Sequence, residues 1–218
     1  MSELQPGTES GTEFDPRPIL DALERHQVEY VMVGGYAARM HGAARPTSDI
    51  DVAPKTTRAN LDRVADALRD LGARIRTEEV PEGLPFNANG ESLSGYRMLN
   101  LQTRHGDLDL TMSPAAFPRG YDDMVARSTY KPLGEVRVRV AALTDVIRSK
   151  ESAGRPKDLE ALPELMKLAN QARTAANFPQ PAKAAVTKPP AAPTAAERIA
   201  AARRAVQEQR NQGPGTER

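Results

Sequence analysis

Two glycines, Gly34 and Gly35, close the apolar run Val31-Met32-Val33, and thirteen residues further on comes Asp49-Ile50-Asp51. In extended backbone, residues i and i+2 share a face with their Cα atoms about 7 Å apart. Asp49 and Asp51 should therefore project together while Ile50 points into the core. Two carboxylates aimed at one spot repel each other unless a cation lies between them. Mg²⁺ (or Mn²⁺) is the natural occupant, because it takes hard oxygen ligands and is commonly shared between one or two carboxylates and phosphate oxygens. Glycines between a buried strand and a helix let backbone amides approach a phosphate closely, near a helix N-terminus that favours negative charge. Such a turn also contains glycine for steric reasons alone, and an isolated Asp-x-Asp is also what a solvated turn looks like. A third acid adds weight to the pair: Leu108-Asp109-Leu110 sets one carboxylate between two inward-facing aliphatics. Asp107 lies on the same face and competes with it, although its place next to a turn suits a structural or solvated role.

The elements that must position these groups follow from apolar spacing. Ile19, Leu20 and Leu23 predict a helix within Pro18 to His26, and Val28 to Val33 reads as a buried strand. A helix is expected from Tyr36 to His41, directly after the glycine turn. Leu61, Val64, Ala65, Leu68 and Leu71 repeat at three and four, so a clear amphipathic helix spans Thr57 to Leu71 with Gly72 as its C-terminal cap. Glu78 to Gly95 holds two prolines, three glycines and two asparagines and reads as a long loop. Strands are expected at Tyr96 to Gln102 and Asp107 to Met112 around a His105-Gly106 turn. Val136, Val138 and Val140 alternate with arginines, as in a half-exposed strand. Helices fit Thr144 to Ser152 and Lys157 to Ala172. Interleaved strands and helices predict an α/β or α+β body with a mixed twisted sheet flanked by helices and a C-terminal helical part.

Composition frames the domain organisation. The 218 residues contain no cysteine, which excludes disulfide staples, thiolate metal sites and cysteine nucleophiles. No apolar run reaches membrane-spanning length and residues 1 to 15 are polar and acidic, so a cytoplasmic protein is expected. Residues 1 to 170 hold 22 Lys/Arg against 26 Asp/Glu, whereas the remainder holds 8 against 3, an acidic body with a basic tail. Residues 1 to 14 are expected to be disordered, 15 to 172 to form the domain, and 173 to 218 to form an Ala/Pro-rich tail. Within that tail, residues 174 to 193 read as a disordered linker, and Thr194-Ala195-Ala196-Glu197 has capping-box form, opening a possible helix over 195 to 210.

Together the glycines and acids resemble the nucleotidyltransferase superfamily, whose members carry Gly-Gly or Gly-Ser, an Asp-x-Asp or Asp-x-Glu, and a third acid on a neighbouring strand. The resemblance is closer to the AbiEii-type branch of toxin nucleotidyltransferases, which includes the MenT-like toxins. It is carried by Val33-Gly34-Gly35-Tyr36-Ala37-Ala38, by Arg45-Pro46-Thr47-Ser48-Asp49-Ile50-Asp51, and by Lys150 followed by Arg155-Pro156-Lys157-Asp158, over about residues 15 to 170. The final acid of that branch's Arg-x-Lys-Asp-x-x-Asp signature falls at Ala161, with Glu160 beside it as a substitute, and Gly35 stands where many members have a serine.

The resemblance implies transfer of a nucleoside monophosphate from an NTP such as ATP to a hydroxyl acceptor, with pyrophosphate leaving. Asp49, Asp51 and Asp109 would be the catalytic and metal-holding acids. Gly34, Gly35, Lys150 and Asp158 would serve the nucleotide, with Asp158 either holding Lys150 or Arg155 in place or accepting amide protons near the start of its helix; spacing alone leaves Lys150 equally a solvated lysine near a helix end. Relatives suggest the tRNA 3′ end as acceptor and a cognate antitoxin as partner. A small-molecule (antibiotic) or protein nucleotidyltransferase and a non-catalytic nucleotide-binding module remain as alternatives. His26, His41 and His105 show no metal-ligand spacing and read as structural or surface residues. Arg45 and Thr47 are equally loop residues or nucleotide contacts, and Tyr36 either packs under a base or fills the helix–sheet interface.

Overall fold

The computed structural model describes residues 14 to 177. The expected disordered start, apart from Phe14, the expected linker from residue 178 onward and the possible helix 195 to 210 lie outside the described residues, whereas residues 174 to 177 of that linker are helical. The chain runs α1 (Arg17–Arg25), β1 (Tyr30–Val33), α2 (Gly34–Met40), β2 (Asp49–Pro54), α3 (Arg58–Asp70), β3 (Arg74–Ile75), α4 (Gly90–Ser94), β4 (Met98–Thr103), β5 (Gly106–Thr111), α5 (Tyr121–Met124), β6 (Thr129–Leu133), β7 (Val136–Val140), α6 (Leu143–Ala153) and α7 (Pro156–Asn177). The strands form one mixed seven-stranded sheet in the order β3-β4-β5-β2-β1-β7-β6. This is the α/β arrangement that the interleaved elements predict.

Burial explains the central strands. Every residue of β1 is buried, as expected for a strand flanked on both sides, by β2 antiparallel and β7 parallel. On β2 and β5 the pattern alternates: Ile50, Val52, Leu108 and Leu110 are sealed in the core while Asp49, Asp51, Asp107 and Asp109 face the other way. The apolar stripe of α3, Leu61, Val64 and Leu68, joins Ile19, Leu23, Leu101 and Leu108 in one hydrophobic cluster. Asn60 is fully buried and staples strand ends together. Its amide donates to the carbonyls of Glu29 (2.9 Å) and Lys55 (2.8 Å), and its oxygen accepts the Glu29 N–H at 2.8 Å. A buried amide that meets its partners in this way costs little to desolvate.

Several local expectations are corrected. The helix after β1 begins at Gly34 itself, not at Tyr36. The stretch Glu78 to Gly95 is not wholly loop: Asn89 accepts the N–H groups of Glu91 and Ser92, Ser92 Oγ accepts the Asn89 N–H at 3.1 Å, and this capping box starts α4. Five residues carry no readable periodicity, and buried Leu93 is the anchor. Gly106 is the first residue of β5 and not part of the turn. Strand β6 carries no strand signal in the sequence because Thr129-Tyr130-Lys131-Pro132-Leu133 is largely polar and contains proline. It lies at the sheet edge, where a missing N–H is tolerated. Two-residue β3 is likewise visible only through its pairing with β4. At the C-terminal end α7 continues past Ala172 to Asn177, starting with Pro156 at a position where no intrahelical N–H is needed.

Candidate active site

The acids are aligned by register. Strands β2 and β5 run parallel with Asp49 opposite Asp107 and Asp51 opposite Asp109. Strand β4 adds Asn100 opposite Asp109 and Met98 opposite Thr111 on the same face. Above this face lies a cleft of about 900 Å³, lined along its floor by Asp49, Asp51, Asp109, Asn100 and Met98, and on its far wall by Lys150 of α6 and Arg155, Lys157 and Asp158 at the start of α7. Sequence-predicted Gly34, Gly35, Lys150 and Asp158 thus border the same cleft as the three acids.

Gly34 and Gly35 are the seat of Asp51. Gly34 adopts φ +65°, and a Cβ there would collide with the Asp51 carboxylate, so only glycine combines the backbone conformation with the space. The Gly35 backbone N–H lies close enough to the Asp51 carboxylate to favour its charged form. Asp51 itself is pushed up to about 6, first by burial and then by the charges of Asp49 and Asp109, with the Gly35 N–H and Lys150 opposing. Thr47 donates its hydroxyl to the Asp49 carboxylate in a short hydrogen bond. Its Oγ1 lies 3.0 Å from where a Gly35 Cβ would sit, so a side chain at position 35 would press on Thr47.

The far wall is an ion triad. Asp158, 1% exposed, accepts Lys150 Nζ on Oδ1 at 2.9 Å and Arg155 Nε on Oδ2 at 2.6 Å. Burial alone would raise the Asp158 pKa, but hydrogen bonds from Arg155 and Lys150 outweigh it and hold the carboxyl below its ordinary value. Ala161 also borders the cleft. Glu160 does not substitute for the missing signature acid: it is 67% exposed and pairs with Arg45 at 3.2 Å. Arg45 also donates to the Lys157 carbonyl, which ties the β2 approach to the first turn of α7.

One cleft residue has no counterpart in the sequence reading. Arg76, just beyond β3, donates to Asp107 and, at 3.0 and 3.3 Å, to both oxygens of Asp109. Its backbone N–H is held by the Asn100 carbonyl at 3.0 Å. Asp107 thereby has the structural role the sequence suggested. Asp109 is raised by burial, opposed by Arg76, and raised further by Asp49 and Asp107. The only sequence trace of this arrangement is the charged–apolar–charged alternation Arg74-Ile75-Arg76. Among the described residues no three His, Asp or Glu side chains are already gathered around one point that could hold a metal ion. The remaining candidates are structural. His26 pairs with Asp70, and His41 bonds the Ala141 carbonyl and Lys131. Tyr36 is buried edge-on to Phe14, with ring centroids 6.3 Å apart.

No family model and no curated protein sequence matches the chain. Among solved structures it is similar to the lincosamide antibiotic adenylyltransferase LnuA bound to lincomycin, at 17% identity and a TM-score of 0.46 over 70% of this chain and 94% of that one. It is also similar to TM1012 of Thermotoga maritima, a candidate nucleotidyltransferase, at 13% identity and 0.43 over 69% and 89%. The antibiotic-resistance factor ANT(2'')-Ia follows at 16% and 0.41 over 74% and 91%. At these values the likeness adds nothing to the chemistry of the cleft.

Proposed function

We propose that the protein is a divalent-metal-dependent nucleotidyltransferase. The observation that carries this reading is the parallel β2–β5 register, which sets Asp51 beside Asp109 and Asp49 beside Asp107 under a wall bearing Lys150. The donor set fits a hard cation. A carboxylate pushed up to about 6 by burial and by two neighbouring acids is held at a cost that a divalent ion relieves. Asp49 and Asp51 would hold Mg²⁺ or Mn²⁺, with Asp109 available to a second ion. When bound, such ions neutralise the triphosphate and the charge that develops on it.

The chain's own groups do the rest. Lys150, oriented by Asp158, neutralises the triphosphate of the NTP. Asp109 receives the proton of the acceptor hydroxyl as its oxygen bonds to the α-phosphorus. The bond from that phosphorus to the bridging oxygen breaks, and pyrophosphate carries away the electron pair.

We assign the acceptor to RNA, with a tRNA 3′ end and a toxin role controlled by an antitoxin as the specific form of the reading. Beside the acid cluster the floor presents uncharged Met98 and Asn100 of β4, and Arg45, Arg155 and Lys157 also line the cleft, cations suited to a phosphate backbone. The test incubates purified protein with Mg²⁺, each labelled NTP and total tRNA, with lincosamide and aminoglycoside acceptors in parallel. Label entering tRNA, abolished by Asp49→Ala, supports the reading, as does growth arrest on expression that Asp51→Ala abolishes. Label entering only the drugs moves the protein to the antibiotic-modifying class. NTP binding without transfer to any acceptor makes it a nucleotide-binding module.

A further inference from the structure

Four carboxylates, Asp49, Asp51, Asp107 and Asp109, share one sheet face on β2 and β5. Of the cations that line the cleft, Lys150 is hydrogen-bonded to buried Asp158 and acts on Asp51 only through its charge, whereas Arg76 is the one that hydrogen-bonds members of this group among the described residues. Its guanidinium bridges Asp107 and Asp109, with one nitrogen 3.0 and 3.3 Å from the two Asp109 oxygens, and it also feels the charge of Asp49. Both oxygens of the third acid are therefore engaged. Asp109 is only 14% exposed and Arg76 33%, so the pair is shielded enough for its attraction to count.

We propose that Arg76 is a resident counter-cation that competes with a divalent ion for Asp109. In the ligand-free protein it satisfies the third acid. It must release at least one Asp109 oxygen before that acid can hold a second ion or receive a proton. Among the described residues no arginine hydrogen-bonds Asp49 or Asp51, and Arg76 acts on Asp49 only through its charge, so the first ion meets less competition there. The freed guanidinium stays tethered by Asp107, whose hydrogen bond lies off the cleft floor. Loading is thus ordered: the Asp49–Asp51 position fills first, and the Asp109 position fills only with displacement of Arg76. Its position on the β3 end, at the start of the stretch that runs to Asn89, gives the side chain an anchor that the Asn100 carbonyl holds from the backbone.

This inference rests on the metal-dependent reading above, and Mn²⁺ binding separates the two. Mn²⁺ titrations followed by electron paramagnetic resonance are run on the full chain with a non-hydrolysable NTP analogue. The wild type is expected to show one tighter and one weaker Mn²⁺. In Arg76→Gln the weaker site should tighten about tenfold, a gain of about 1.4 kcal/mol, while the tighter site changes little. Arg76→Lys, which keeps a charge but loses the two-carboxylate bridge, should fall between and guards against a folding failure of the glutamine variant. A weaker site that is unchanged or loosened in these variants overturns the role of Arg76 and leaves the metal-dependent reading standing. Absence of any Mn²⁺ binding by the wild type overturns both.

Discussion

Asp51→Asn should make the protein more stable and inactive at once. Burial, followed by the charges of Asp49 and Asp109, lifts this carboxyl from 3.8 to about 6. A shift of about two units, at about 1.4 kcal/mol each, amounts to about 3 kcal/mol. The sign follows from which form the fold prefers. With the folded pKa above the unfolded one, ionisation costs the folded state nothing below about pH 4. The cost grows between 3.8 and about 6 and is fully present above that. Asparagine, uncharged and nearly isosteric, removes the cost. In metal-free buffer at pH 8 it should raise the melting temperature by roughly 6 to 12 °C, taking 2 to 4 °C per kcal/mol for a domain of this size. At pH 4 the two proteins should melt together. Adding Mg²⁺ with a non-hydrolysable NTP should stabilise the wild type and not the variant, because only the former binds them in the folded state. Thermal melts followed by circular dichroism from pH 4 to 8 are sufficient. A variant that melts below the wild type at pH 8, or whose advantage does not change with pH, refutes the account of Asp51 as a strained carboxylate awaiting a cation.

Gly34→Ala should cost about 2 kcal/mol or more in chemical denaturation, since it forces a side chain into a left-handed backbone position and onto the Asp51 carboxylate. Asp158→Ala should destabilise by about 3 kcal/mol by stranding Lys150 and Arg155, and should weaken NTP binding in calorimetry. Because the Asp158 pKa lies below its ordinary value, the wild-type advantage over this variant is present above pH 3.8. It shrinks as pH falls through the lower folded value, which urea melts at low pH will show. Thr47→Val should lower transfer rate while shifting stability by only about 1 kcal/mol, as it removes one hydrogen bond to Asp49. Asn60→Ala, remote from the cleft, should cost about 2 to 3 kcal/mol in urea melts and leave the KM for NTP unchanged.

Legibility in the sequence tracked the range of the interactions. Helix α3 and strands β1 and β7 were readable because their apolar spacing is set residue by residue along the chain. The Asp-x-Asp pair was readable for the same reason, since a period of two is local. Arg76 was not, because its role depends on β3 pairing with β4 and β4 with β5, which brings it to Asp107 and Asp109 across more than thirty residues. Glu160 shows the opposite case: its closeness to Ala161 in sequence says nothing of the helix rotation that turns it outward to Arg45. Nothing local in the Gly34-Gly35 pair tells that a side chain at position 34 would collide with Asp51, which arrives from the neighbouring strand.

The alternation along β2 and β5 also guards against misfolding. If β5 shifted by a single residue against β2, Asp107 and Asp109 would enter the interior and Leu108 and Leu110 would be turned to water. Each unpaired buried carboxylate would cost several kcal/mol and each exposed leucine about 2 more. Near-miss pairings are therefore ruled out energetically before any selection on activity acts. The charges that make the floor of the cleft uncomfortable in the correct fold make every adjacent wrong register worse, so the same residues that would do the chemistry also proofread the sheet.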